Sequence, residues 1–164
     1  MTLGGSILSF PERGPWGDAS YPGNCSGYVY WDIFERLHPR VFTDPMVGGG
    51  TSVDVARELG IEAHGLDLHS GFNILKQRIL DVVGKPSDLV LSHPPYHNIV
   101  VYSGKVWGRV GHPDDLSRCA SEDEFVEKLT IRLEEPAARY DAGRILRNDY
   151  RRCAKGRGLF KLSG

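Results

Sequence analysis

The sequence predicts an α/β fold built on a small parallel sheet, and three observations predict it. Short apolar runs alternate with amphipathic stretches along the first half of the chain. The first two apolar runs each end in an acid, at Asp44 and Asp67. A run of three glycines, Gly48-Gly49-Gly50, separates the first of these strands from the helix after it.

Taken in order, residues 1–26 are rich in Gly, Pro, Ser and Asn and read as a loop ordered by its contacts. GYVYWDIFERL, from Gly27 to Leu37, reads as a short amphipathic helix closed by His38-Pro39. Val41-Phe42-Thr43 is a brief strand running into Asp44. TSVDVAREL follows the glycines as a helix, with Thr51 as N-cap, Asp54 three residues on, and Gly60 where a C-cap is expected. Glu62 to Leu66 is a second strand, ending at Asp67. NILKQRILDVV, residues 73–83, reads as a helix, and Ser87 to Leu91 as a third strand. Ser92-His93-Pro94-Pro95-Tyr96-His97-Asn98 then breaks regular structure. Residues 97–120 have no clean period and read as a long loop, a kind that is usually functional when ordered. Ser121 and Glu124 form a capping box that opens EFVEKLTIRLEE, and GRIL closes the pattern as a short strand. The expected organisation is one domain over 1–164, with a loop at 1–26, an α/β core at 27–143 and a basic tail at 144–164.

Composition excludes several classes. The 164 residues are 40% hydrophobic and 25% charged, as in a globular chain. No run approaches the ~18 apolar residues of a membrane span. MTLGGSILSF has no basic n-region, so no signal peptide is expected. Three well-separated cysteines argue against a disulfide scaffold and for a reducing, cytoplasmic setting. No CxxC is present, and the prolines between His93 and His97 forbid the helix that a zinc pair at that spacing uses, so no metal site is expected. The net charge of −1 hides an asymmetry: from Arg144 onward seven basic residues face one acid, leaving 13 basic and 20 acidic residues on the remainder. A basic tail on an acidic body is either a solvated terminus or a phosphate contact.

The glycine run carries the first chemistry. A Walker loop needs a lysine before Thr51, and a dinucleotide fingerprint needs a glycine where Val53 stands. What remains is a turn that lets a ligand approach the main chain, and an acid at the next strand end placed to bind ribose hydroxyls. The second motif is Ser92-His93-Pro94-Pro95-Tyr96 at the same sheet edge. Two prolines remove backbone donors, leave carbonyls free and push the ring outward, which suits a flat ligand bearing an amino group. Trp31, Phe34 and Trp107 are better explained by core packing.

On these residues the chain resembles the S-adenosylmethionine-dependent DNA amino-methyltransferases. Asp44-Pro45-Met46-Val47-Gly48-Gly49-Gly50-Thr51 is similar to that family's DPFxGSGT cofactor motif, with Gly49 in place of the usual Ser. Gly65-Leu66-Asp67 resembles the G-I/L-D segment whose acid binds the ribose, and His93-Pro94-Pro95-Tyr96 resembles the catalytic D/N/S-P-P-Y tetrapeptide. The segment from Tyr21 to Leu37, with Asn24, is similar to the one that encloses the cofactor's methionine end. The motif order is like the gamma arrangement, and the resemblance spans roughly residues 11–110. It departs at His93, where Asp, Asn or Ser is usual, and at the C-terminus, where AGRILRNDYRRCAKGRG resembles only a shortened GGR…GD.R..G segment.

The resemblance implies a Rossmann-like class I methyltransferase sheet with helices on both faces and shortened or missing C-terminal strands. It implies S-adenosylmethionine as cofactor, bound by Asn24, Asp44, Met46, Gly48, Gly50, Thr51 and Asp67. His93, Pro94, Pro95 and Tyr96 become the catalytic set. Acceptors at His93 and the Pro94 carbonyl draw an exocyclic amine of adenine or cytosine toward tetrahedral geometry, and Tyr96 stacks on a flipped base. DNA is the expected substrate and partner, and the short sheet points to a homodimer or a complementing subunit. Two other readings stand beside this one: a remnant that binds cofactor or DNA without turnover, and an RNA or protein-glutamine N-methyltransferase.

Overall fold

The computed structural model describes residues 8–95, 97–102, 106–107, 109–137, 144–145, 147–148 and 160–161, with side chains as far as residue 130. Helix α1 spans Gly27–Leu37. Ser26 caps it, its Oγ accepting from the Tyr28 N–H at 3.3 Å while donating to the Glu12 carbonyl at 2.6 Å. Tyr30, Ile33 and Phe34 recur at helical spacing and form its buried stripe. The helix ends at His38, held at φ 47°, whose N–H returns to the Phe34 carbonyl at 2.8 Å.

Strand β1, Val41–Asp44, is the centre of the sheet. It pairs in parallel with β2, Glu62–Gly65, on one side and with β3, Leu89–Val90, on the other. The order is β2-β1-β3-β4, where β4 is Arg144–Ile145, parallel to β3. A separate antiparallel pair joins β5, Arg147–Asn148, to β6, Phe160–Lys161. Burial on both faces explains why β1 reads as a continuous run: Phe42, Thr43 and Asp44 are all buried. Phe42 meets Phe34 edge-on, with ring centroids 4.8 Å apart, and Leu89, Leu91, Val53 and Val55 complete the core around them. The polar members are satisfied in place, with the Thr43 and Ser87 hydroxyls 2.7 Å apart.

Three expectations are corrected. Helix α2, Thr51–Glu58, is capped by Gly50 at φ 85°, not by Thr51. Thr51 donates its hydroxyl to Asn24 Oδ1 at 3.4 Å, and the Asp54 carboxylate accepts from the Gly17 N–H at 3.0 Å, so residues 17–24 take up the groups a capping box would have used. The helix expected over 73–83 is confined to α3, Ile79–Val83. Asn73 diverts the chain before it: its Oδ1 accepts from the Leu75 N–H at 2.9 Å, and its own N–H donates to Gln77 Oε1 at 2.6 Å. Arg78 is then extended, at ψ 137°. Strand β3 is shorter than 87–91, although ladder bonds continue from Asp88 N–H to Val41 and from Leu91 N–H to Thr43.

Helix α4, Glu122–Ala137, opens almost as expected. Ser121 Oγ accepts from the Glu124 N–H at 3.1 Å, while the Glu124 carboxylate reaches the Ala120 N–H at 2.7 Å, one residue beyond the usual box. Among the described residues no helix is long and apolar enough to cross a membrane.

Candidate functional site

The chain passes from β1 outward to β2, then crosses back to β3 on the other side of β1. That reversal makes a crevice at the carboxyl ends of β1 and β3, the place where parallel α/β sheets bind ligands. A cleft of about 810 Å³, partly open to solvent, occupies it. Asn24, Met46, Gly48, Thr51, Asp67, His93 and Pro95 all line it. Asp44, Gly50 and Pro94 do not: Asp44 and Pro94 are buried behind it, and Gly50 faces away as the cap of α2. Tyr96 lies outside the described residues.

Asp44 is a foundation beneath the cleft. Its carboxylate accepts from Ser52 Oγ at 2.6 Å and from the Met46 N–H at 3.0 Å, which fixes the turn out of β1. Burial pushes its carboxyl up to about 7, against the lowering effect of those two bonds. Asp67, two residues past β2, faces the cleft itself. One oxygen accepts from the Gly48 N–H at 2.8 Å; the other accepts from the His69 N–H at 3.1 Å and from His69 Nδ1 at 2.6 Å. Two carboxylate oxygens offer about four acceptor sites, so capacity remains for a ligand.

The glycine turn has a neighbour on its outer side that sequence reasoning did not foresee. Residues 16–24 lie over it as a strap. Trp16 Nε1 donates to Glu58 at 2.6 Å, and the Asp18 N–H donates to the Gly49 carbonyl at 2.7 Å. A Cβ on Gly48 would meet the Tyr21 ring at 2.8 Å, and one on Gly49 would meet Tyr21 Cβ at 2.8 Å and Asn24 Oδ1 at 2.9 Å. The glycines therefore admit the protein's own strap.

His93, at the end of β3, is half-buried, and burial pulls its imidazole below the ordinary value of 6.5. It is neutral at pH 7 and so carries one acceptor nitrogen. The wall opposite comes from the 97–118 loop, which adds Tyr102, Trp107, Asp114 and Asp115. Tyr102 and Tyr21 face each other with centroids 5.8 Å apart. Burial first, then the Asp67 charge, raises both phenols, Tyr102 to about 12, so both remain proton donors. Asp114 accepts from Asn73 Nδ2 at 2.8 Å and Lys76 Nζ at 2.6 Å, and the Lys76 bond holds its carboxyl below the usual range. Of these residues only Trp107 is singled out by the sequence, and there as a core residue; the paired acids of HPDD were the available signal for the rest.

Asp67, Asp114 and Asp115 bring carboxylates to the cleft; Lys76 pairs with Asp114 and Arg118 with Asp115 from outside its lining. Leu68, Phe72 and Ile74 supply an apolar patch beside Asp67. The fold and the cleft together define a class: a parallel α/β protein with a cleft at its topological switch point. In comparisons with protein-family models, curated proteins and solved structures, the chain finds no match.

Proposed function

We propose that the chain is a Rossmann-like class I methyltransferase that uses S-adenosylmethionine to methylate an exocyclic amino nitrogen of adenine or cytosine in DNA. The observation that carries this reading is the cleft's charge and acceptor set. Phosphate-bearing dinucleotides call for cations or free N–H groups, whereas this lining offers carboxylates. A nucleoside with a positively charged sulfonium and ammonium fits it. Asp67 would hold the ribose diol, Leu68, Phe72 and Ile74 the flat base, and Asn24, Met46, Gly48 and Thr51 the amino-acid end. When bound, S-adenosylmethionine supplies an electrophilic methyl group.

The chain's own residues prepare the amine. Neutral His93 accepts one of its N–H bonds, and the other is assigned to a carbonyl of the Pro94–Pro95 stretch, where two prolines leave carbonyls without competing donors and of which Pro95 lines the cleft. Holding both hydrogens localises the nitrogen lone pair, which is otherwise delocalised into the ring; the gain is in positioning, not covalent catalysis. Tyr96 is assigned to stacking on the displaced base. DNA is the partner, and a second copy of the chain or a complementing subunit completes the sheet. The histidine at the first catalytic position also supports a second reading, a protein that binds cofactor or DNA without transfer.

Calorimetry with S-adenosylhomocysteine, followed by radiolabel transfer from S-adenosylmethionine to mixed DNA, RNA and protein acceptors, tests this. Binding is expected, weakened about 10- to 100-fold in Asp67→Ala, as for loss of hydrogen bonds to a charged group. Label is expected in DNA. Binding of NADH but not of either S-adenosyl compound overturns the cofactor; binding without transfer selects the second reading; label in RNA or protein moves the substrate.

A further inference from the structure

Asp67 is held from two sides. Its Oδ2 accepts from the Gly48 N–H at 2.8 Å, and its Oδ1 accepts from the His69 N–H at 3.1 Å and from His69 Nδ1 at 2.6 Å. A carboxylate only accepts, so Nδ1 carries the proton of that last bond. Each oxygen has two lone pairs, about four acceptor sites in all. Both sites on Oδ1 are taken, and one of those on Oδ2. A ribose diol presents two hydroxyls, and the carboxylate that faces it has one site left.

The bonds to Oδ1 come from a local turn. Asp67 caps the short 3₁₀ turn Leu68–Ser70, and its own carbonyl accepts from the N–H groups of Ser70, at 3.1 Å, and Phe72, at 2.9 Å. Those bonds fix the backbone around His69. The imidazole is fixed as well. It lies against the Tyr21 ring, with centroids 5.9 Å apart, and that ring stands 2.8 Å from where a Cβ on Gly48 would be. Gly48, Asp67, His69 and Tyr21 thus close a circuit of two hydrogen-bonded links and two ring contacts. His69 is not among the described residues that line the cleft, so it acts through Asp67.

We propose that His69 sets the hydroxyl specificity of the cleft: by filling Oδ1 it leaves Asp67 to take one hydroxyl of a ribose, through Oδ2, and to leave the other unrecognised. This rests on the reading of Asp67 as the ribose-binding acid and deepens it. The ligand class is a nucleoside with one required ribose hydroxyl, whose second position tolerates hydrogen. At 2.6 Å the ring bond is of the short, charge-assisted kind, about twice as strong as a neutral one. A hydroxyl that has water for an alternative partner does not displace it.

Calorimetry with S-adenosylhomocysteine and its 2′-deoxy and 3′-deoxy forms tests this. With the unaltered chain, loss of one hydroxyl is expected to weaken binding about tenfold or more, and loss of the other less than about twofold. His69→Ala frees Oδ1, and each loss is then expected to weaken binding about tenfold. His69→Asn, whose amide nitrogen reaches the position of Nδ1, should restore the one-sided pattern. The His69 side chain is 34% exposed, so these substitutions leave the core intact. A purely structural role would weaken all three ligands alike in His69→Ala and keep their ratios, which overturns the proposal. Equal losses for the two deoxy ligands with the unaltered chain also overturn it and leave Asp67 as the ribose acid. Loss with neither deoxy ligand, or no binding of S-adenosylhomocysteine by the unaltered chain, overturns both.

Discussion

Asp44 and Ser52 are joined beneath the glycine turn by a 2.6 Å hydrogen bond between two fully buried side chains. The bond ties the end of β1 to the first turn of α2, and it places an acid with a carboxyl raised to about 7 inside the core. The folded carboxyl therefore holds its proton more tightly than the unfolded one, whose ordinary value is 3.8. Its stability contribution is fully present below 3.8 and is lost as pH rises through about 7. Asp44→Asn keeps an acceptor for the Met46 N–H and turns Ser52 into the acceptor of the new amide. Denaturant titrations from pH 4 to 8 should show this variant with a flatter stability profile and the greater relative gain at pH 8. Asp44→Ala leaves both partners unpaired and should cost about 1–3 kcal/mol at every pH.

His93 has the opposite sign. Burial lowers its folded value below 6.5, so the unfolded chain takes up the proton first as pH falls. Stability is lost downward from 6.5, and the neutral acceptor persists to a lower pH than in a free histidine. The acid limb of any transfer rate is thus expected below pH 6.5, and His93→Asn, which keeps an acceptor, should abolish that limb. An undiminished rate in His93→Ala would remove the residue from the mechanism.

Gly49 and Gly50 should respond differently to the same substitution. Alanine at 49 collides with Tyr21 and Asn24, whereas alanine at 50 meets nothing within 4 Å and suffers only from its φ of 85°. Gly50→Ala is expected to cost about 1–2 kcal/mol of backbone strain with the strap in place. Gly49→Ala should unseat the strap. Limited proteolysis across residues 14–24 distinguishes them: accelerated cleavage in Gly49→Ala alone is the expected result.

One edge of the sheet discourages association and the other invites it. On β2, Glu62 is exposed and paired with His64 and Lys85, the charged pattern that blocks strand addition. Among the described residues the far edge is β4, two residues long. Light scattering should give a dimer, or a larger complex with a complementing subunit. The basic residues from Arg144 to Lys161 should give DNA affinity that falls steeply with salt. A monomer that binds a short duplex tightly at high salt would contradict both halves.

The elements legible in the sequence are those set by local pattern and caps: α1 with its His38-Pro39 stop, β1 ending at Asp44, and the Ser121–Glu124 opening of α4. Where the reading failed, distant residues held the deciding groups. Thr51 and Asp54 form no box because Asn24 and Gly17 claim them, and 73–78 is not helical because Asn73 bonds locally and reaches Asp114. The site divides the same way. Asp67, Gly48 and His93 follow from their strand ends, but the wall of Tyr102, Trp107, Asp114 and Asp115 belongs to an aperiodic loop, where Trp107 is held by Asp115 and Tyr102 by Ser117.

The strap over the glycine turn also bears on a sequence departure. At position 49 the resembling motif usually carries serine, and here Asp18, Tyr21 and Asn24 occupy the space its side chain would fill. Gly49 and the strap are thus two halves of one fit. Grafting the serine alone would trade a hydroxyl for a clash, and a smaller residue at Asn24 would leave the Tyr21 Cβ and Asp18 carbonyl contacts in place, so the strap itself has to shift. Residues 18–24 and 48–51 are best exchanged between related chains as a unit.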